Sequence, residues 1–504
     1  MNNERLNNLQ GNIIDGSGRK IFFGKLSIEN GKITDVSEIS SERHECSDYI
    51  APGFIDIHSH GDHFLLIDPS AASKIQQGVT TDVIGNCGYS AAPINSNMRE
   101  RRGRGLERFK LKPNWESFGD YLQRLEEAQP AVNVCALVGH GTLRTYAGIP
   151  ETRAATPKER LSILHAVKKA LEEGAFGLST GTFYVPGSSA DKLELLDSLT
   201  PVSDMKRLYA AHIRNESDFV VESLYEAIDI ARIVKVKFQY SHIKAWGYQN
   251  WNKANKILEL IKNGIESGID ISTDLYPYDS AATELISGMG VQNIKSIDEI
   301  KNHIQELLSK DPYWNHRIRI LSSKVENFRG KRLFNLKNPA EEIARILEAD
   351  PHTSAAFEEL SYKNIDKFIS QHITAIGSDS SNRNIVGPLS EDFSHPRAFG
   401  TFPRFISKYT GEGKLLSLEE GIRRVTSLPA ERLGLTDRGL IKIGMSADLV
   451  IFDPSKIKDK ATFQYPKKFP IGIKEVWVNG KVAVQNGIIN EVRNGRVLSP
   501  TSTV

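Results

Sequence analysis

The segment Asp56-Ile57-His58-Ser59-His60 sets two imidazoles two residues apart at the end of the apolar run Phe54 to Ile57. In an extended chain residues i and i+2 point to one side, so both rings can reach one ion. Other ligand-type residues stand where later apolar runs end. Cys87 follows Ile84-Gly85-Asn86, His212 follows Leu208-Tyr209-Ala210-Ala211, His242 follows Phe238-Gln239-Tyr240-Ser241, and Asp379 follows Ala375-Ile376-Gly377-Ser378. Zinc and similar ions accept neutral imidazole at about 2.0–2.1 Å and thiolate at about 2.3 Å. A single His-x-His carries little information, but separate strand ends offering histidine, thiol and carboxylate predict a metal centre. A free cysteine is usually a small buried apolar residue. Glycine neighbours and a strand-end position set Cys87 apart from Cys46 and Cys135, which are expected to be structural.

Ligands at strand ends require strands that end together. The middle of the chain alternates short apolar runs with helical stretches, the pattern of a parallel α/β sheet or barrel. The runs are Phe54 to Ile57, Thr80 to Gly85, Val132 to Val138, Phe176 to Ser179, Leu208 to Ala211, Lys237 to Ser241, Ile269 to Asp274 and Thr374 to Gly377. Eight runs fit a (β/α)8 barrel, whose chemistry gathers at the C-terminal rim. The barrel is expected over residues 51–419. About a hundred residues separate the last two strands, far more than a loop needs, so an inserted subdomain or lid is expected at 285–363. Residues 1–50 and 420–504 are rich in short strands and turns, including an Asn479-Gly480 hairpin signal, and predict one β-sandwich built from both termini.

Composition narrows the ligand. Lys+Arg number 64 against Asp+Glu 62 over 504 residues, which gives no electrostatic reason to expect nucleic acid or an anionic membrane as partner. The basic segment Arg99 to Lys112 is therefore expected to be a solvated loop over the barrel mouth. No run of about 18 apolar residues occurs, and MNNERLNNLQ carries charge and amides where a leader needs an apolar stretch. Three cysteines are too few for a disulfide framework. A cytoplasmic protein acting on a small molecule is the expectation.

With these pieces in place, the chain resembles the amidohydrolase superfamily. The resemblance runs from Pro52-Gly53-Phe54-Ile55-Asp56-Ile57-His58-Ser59-His60 to Gly444-Met445-Ser446-Ala447-Asp448-Leu449-Val450. Within it the chain is most similar to the D-aminoacylase (N-acyl-D-amino-acid deacylase) group. That likeness rests on Gly85-Asn86-Cys87-Gly88, Gly177-Leu178-Ser179-Thr180-Gly181 with Tyr184-Val185-Pro186-Gly187, Tyr276-Pro277-Tyr278, and His395-Pro396-Arg397 with Gly400-Thr401-Phe402-Pro403-Arg404. Many superfamily members bridge two metals with a carboxylated lysine after the fourth strand, yet Ala175 to Gly187 holds no lysine. The resemblance implies one tight zinc on Cys87, His212 and His242, with His58, His60 and Asp379 around a second, weaker position. It also implies that Arg397 anchors a substrate carboxylate, helped by Lys244 and by Tyr276 or Tyr278. His140, after the third strand, either lines the pocket or satisfies its own loop.

The chemistry implied is hydrolysis of a linear amide in an N-acyl amino acid, with metal-activated water and Asp379 as general base. Hydrolysis of a cyclic amide, as in hydantoinases or dihydroorotases, would use the same barrel, but Cys87 and the missing lysine argue against it. A non-catalytic scaffold with this fold would be expected to lose ligands, and all six remain.

Overall fold

The computed structural model describes residues 7–45, 48–291, 296–491 and 493–500; Cys46 lies outside them. Eight parallel strands form the barrel: Phe54–Asp56, Val79–Ile84, Asn133–Ala136 continued as Val138–Gly139, Gly177–Gly181, Leu208–His212, Lys237–Tyr240, Ile271–Leu275 and Thr374–Ile376. They are the eight runs read from the sequence. The third strand is interrupted at Leu137, whose N–H still donates to Ile84 O at 2.9 Å. The first and eighth strands meet through a parallel bridge at Ser59 and Ser380, beside Asp379 N donating to His58 O at 2.8 Å. Candidate ligands thus sit on the hydrogen bonds that join these two strands. Ile55, Val83, Cys135, Leu137, Phe176, Leu208 and Ala210 share an apolar cluster with Ala430 and Leu433 of the helix Ser427–Leu433.

Beneath the rim is a buried charge network that holds the first and eighth strands in register. Lys74 Nζ donates to Asp56 Oδ2 at 2.6 Å, to Ser378 Oγ at 2.7 Å and to Ser380 O at 3.2 Å. Burial pulls the ammonium pKa down, and the Asp56 and Asp82 carboxylates more than offset it, so Lys74 stays charged. Removing one partner of a buried pair strands the other's charge, at about 3–5 kcal/mol. Lys74→Met is therefore expected to lower stability by about that amount. Urea unfolding would measure it, and a loss below about 1 kcal/mol would show the network to be dispensable.

Both chain ends contribute to a single eight-stranded sheet. Its order is Ile488–Ile489, Lys481–Gln485, Ile473–Val478, Leu449–Phe452, Tyr49–Pro52, Asn7–Ile13, Phe22–Glu29 and Lys32–Ser40. Asn479 and Gly480 have φ of 47° and 81°, the left-handed pair a two-residue hairpin turn requires. Ile13, Leu26 and Ile28 share a core with Leu449 and Trp477 from the other end of the chain. The helices Leu418–Val425 and Ser427–Leu433 pack on the first barrel strand, the former also on the eighth.

Between the seventh and eighth barrel strands, Ala281–Glu284, Ser354–Phe357 and Ile318–Ser322 pair antiparallel in that spatial order. With the helices Ile297–Lys310 and Pro339–Ala349 they enclose a hydrophobic cluster of their own, against which Trp246 of the barrel packs. The basic segment after the second strand is not the expected loop. It is a helix, Ser96–Leu106, followed by a 3-10 turn. Asn95 caps it by accepting from Met98 N, and the buried Met98 anchors it, outweighing the run of like charge. Among the described residues no helix is long and apolar enough to cross a membrane.

Candidate active site

Cys87, His212, His242 and Asp379 stand at or just beyond strand ends, and His58 and His60 follow the first strand. Their side chains converge. His58 Nε2 lies 3.2 Å from Cys87 Sγ, and His242 Nε2 lies 3.3 Å from the same sulfur. His60 Nε2 is 3.0 Å from Asp379 Oδ1, and His58 Nε2 is 3.6 Å from it. Two sets of ligand atoms lie within 4.8 Å of one another, one from His58, His60, Cys87 and Asp379, the other from Cys87, His212 and His242. Cys87 belongs to both.

The backbone bends to make this possible. Cys87, His242 and Asp379 have φ of 53°, 38° and 48°. Left-handed conformations at non-glycine residues cost on the order of 1–3 kcal/mol each and persist where the surroundings fix them. Glycines make room for the Cys87 turn. A Cβ on Gly181 would lie 2.0 Å from Cys87 O, and one on Gly88 would lie 2.5 Å from Gly181 N. Side-chain-free positions on both segments are what let the second and fourth strand ends touch.

Electrostatics suit a cation. Burial opposes ionisation of the Cys87 thiol, but His58 and His242 beside it hold its pKa well below the ordinary value. Burial likewise opposes the Asp379 charge, and Arg397 with His60 holds that carboxyl well below the usual range. His212 is kept neutral chiefly by burial. Its Nδ1 and Nε2 are buried without a hydrogen-bond partner, which is costly unless something else binds them. A thiolate, four imidazoles and a carboxylate converge here, and a zinc-like ion fits that donor set by replacing the protons that Cys87, Asp274 and Asp379 otherwise favour on His58 and His60.

Two carboxylates absent from the sequence reading complete the cluster. Glu216 Oε1 is 3.0 Å from His242 Nδ1 and 2.7 Å from Lys244 Nζ, and its Oε2 is 3.4 Å from His212 Nε2. Asp274 Oδ1 is 3.1 Å from His58 Nδ1 and accepts from His242 N at 2.8 Å. Glu216 and Lys244 both engage His242 Nδ1, which leaves Nε2 on the Cys87 side as the atom that would ligate. Glu216 follows His212 by four residues, and Asp274 ends the seventh strand, so the strand-end rule could have found Asp274. Glu216→Gln is expected to weaken metal affinity about 10- to 100-fold. Competition with a chromogenic chelator would read this, and unchanged affinity would remove Glu216 from the site.

The remaining candidates separate. Arg397 lies in the cluster, its Nη1 3.0 Å from Asp379 Oδ2 and its guanidinium 4.5 Å from the Tyr276 ring. Lys244 is buried on Glu216 and on His242 Nδ1, at 2.6 Å from the latter. Tyr278 turns away, under Arg404 and against His395. His140 lies 3.1 Å from the buried Glu194 of the helix Lys192–Asp204, outside the ligand cluster. One wall of the site is instead Tyr184, which hydrogen-bonds Thr283 of the inserted sheet at 3.1 Å and packs on His212. A cavity of about 360 Å³ opens between Cys87, Tyr89, Met98, Tyr184 and Pro186.

The chain is similar to proteins of known family over nearly its whole length. Residues 48–227 and 369–484 match the model of the amidohydrolase family. The chain is 33% identical to an N-acyl-D-aspartate deacylase of Alcaligenes xylosoxydans xylosoxydans, over 98% of this chain and 94% of that one. It is 33% identical to a D-aminoacylase of the same organism, over 98% and 97%. A crystal structure of N-acyl-D-glutamate deacylase from Bordetella bronchiseptica, complexed with zinc and a phosphonate inhibitor, superposes with a TM-score of 0.83 at 30% identity, covering 98% of this chain and all of that one.

Proposed function

The chain belongs to the amidohydrolase family, and we propose from that premise that it is a zinc-dependent deacylase that cleaves N-acyl-D-amino acids to a carboxylate and a free amino acid. The observation that carries this reading is Cys87, a thiol shared by both groups of ligand atoms. A zinc ion held there would lower the pKa of a water to about 7 and polarise the carbonyl. Cys87, His212 and His242 would hold the tight zinc, and His58, His60 and Asp379 would surround a second, weaker position. Asp379 takes the proton of the attacking water and delivers it to the departing amine.

Arg397 anchors the substrate carboxylate. Its Nη1 faces Asp379 Oδ2 at 3.0 Å and its Nε is buried with no hydrogen-bond partner, so the planar fork keeps donor capacity for a substrate carboxylate. Tyr276 supports the guanidinium plane. Lys244 holds Glu216 rather than substrate, so the anchor falls on Arg397. The inserted segment 285–363 shapes selection among substrates through the cavity lined by Phe183, Trp246, Met289 and Trp314. This reading is tested by loading the protein with zinc and following amine release from N-acetyl-D- and N-acetyl-L-amino acids, with a hydantoin alongside. Chelator-sensitive hydrolysis of the D-series supports it. Hydantoin opening without deacylation overturns it.

A further inference from the structure

At the N-terminal face of the barrel, opposite the metal cluster, a cavity of about 820 Å³ lies among the starts of the fifth, sixth and seventh strands. Leu208, Ala231, Val236, Ile269 and Leu433 give it an apolar floor, and Lys206, Arg207, Arg232, Lys235, Lys237 and Arg432 surround that floor. Two of the six cations are paired, Arg232 with Asp229 at 2.5 Å and Arg432 with Asp270. Among the described residues the other four have no carboxylate within ion-pair distance. Arg207 is the least expected of these, because its Nε is buried with no hydrogen-bond partner. Burial lowers its pKa with no neighbouring charge to restore it. A buried donor left unmade costs about 1–3 kcal/mol and asks for an explanation.

The bland account is that these cations offset helix dipoles. The helices Lys192–Asp204, Val220–Val234, Ala254–Glu266 and Ser427–Leu433 all end at this cavity. Each C-terminus carries about half a negative charge, so four ends contribute about −2. Four unpaired cations exceed this by about two charges. That surplus equals the charge of a phosphate monoester dianion, and the apolar floor suits a ring or hydrocarbon attached to it. The near-zero net charge of the whole chain makes this concentration a local feature rather than a general basic surface.

We propose that this cavity binds a small organic phosphate monoester, with Arg207, Lys206, Lys235 and Lys237 on the phosphate and the apolar floor under its organic part. Isothermal titration of the full zinc-loaded chain at low salt would test it with AMP and phenyl phosphate, against adenosine, phenol and inorganic phosphate. AMP or phenyl phosphate should bind, about tenfold or more tightly than inorganic phosphate, while adenosine and phenol give no heat. The double variant Arg207→Ala/Lys235→Ala should weaken that binding at least about tenfold. It should stay folded, with wild-type metal content and a thermal midpoint lowered by no more than about 2–4 °C without ligand, which separates lost binding from lost folding. Failure of both monoesters to bind at millimolar concentration overturns the proposal. So does equal binding by inorganic phosphate, or binding that the double variant leaves unchanged while folded.

Discussion

Replacing Asp379 with asparagine is expected to lower kcat/KM for an N-acetyl-D-amino acid by about two to four orders of magnitude, the range of a lost general base. Asparagine is the informative substitution because it adopts left-handed backbone readily, and Asp379 has φ of 48°. It also keeps an oxygen near His60 and Arg397 while removing the basic charge that those neighbours hold ionised. If Cys87, His212 and His242 bind the tight metal, the variant should retain most of its zinc. The informative result is therefore a split, with metal content near wild type and turnover almost gone. Turnover within about tenfold of wild type would transfer the proton to another group. Turnover and zinc lost together would instead make Asp379 an essential ligand.

Arg397 complicates the alanine form of this experiment. Its Nη1 lies 3.0 Å from Asp379 Oδ2, and the side chain is buried. Alanine would strand that guanidinium, adding an uncompensated charge to the loss of a base. A drop in activity could then reflect a displaced substrate anchor. Asparagine also removes the charge but retains an acceptor for Arg397, so it disturbs the anchor less than alanine would.

The positions of the candidate ligands were legible in the sequence because each depends on a local rule. An apolar run sets a strand, its end sets the rim, and His-x-His at that end sets a pair on one side. The eight strands and the Asn479-Gly480 turn follow from similarly short-range patterns. What could not be read depends on contacts far apart in sequence. Lys74 acquires meaning only when it meets Ser378, 304 positions away, and Asp56 across the same closure. Glu216 is an ordinary loop carboxylate until His242 and Lys244 fold onto it. Lys244 itself shows the limit, since its spacing from His242 places it correctly but cannot reveal that a buried carboxylate claims its charge. His140 is the same case, with Glu194 beside it. Arg99 to Lys112 failed for another reason. Charge alone suggested a loop, while the cap at Asn95 and the anchor at Met98 decided for a helix.

Cys87→Ala is expected to reduce bound zinc to below about a tenth of an equivalent after dialysis and to abolish activity with it. Loss of a group that merely orients a ligand costs about 10- to 100-fold in affinity. Removing a direct ligand shared by both groups should cost more. Alanine keeps the β-carbon and the left-handed strain at φ 53°, so the change isolates the sulfur. The thiol is buried between His58 and His242, which together hold its pKa well below the ordinary value, whereas a structural cysteine in apolar surroundings does the reverse. Cys135 is that internal contrast, buried in the barrel cluster with its thiol pKa pushed up chiefly by burial. Cys135→Ala should therefore leave zinc content intact and cost only packing, about 1 kcal/mol or somewhat more. Measuring metal stoichiometry and unfolding free energy on both variants separates the two roles. Full zinc retention in Cys87→Ala would return Cys87 to the status of a small apolar residue, leaving the histidines and Asp379 to define the site.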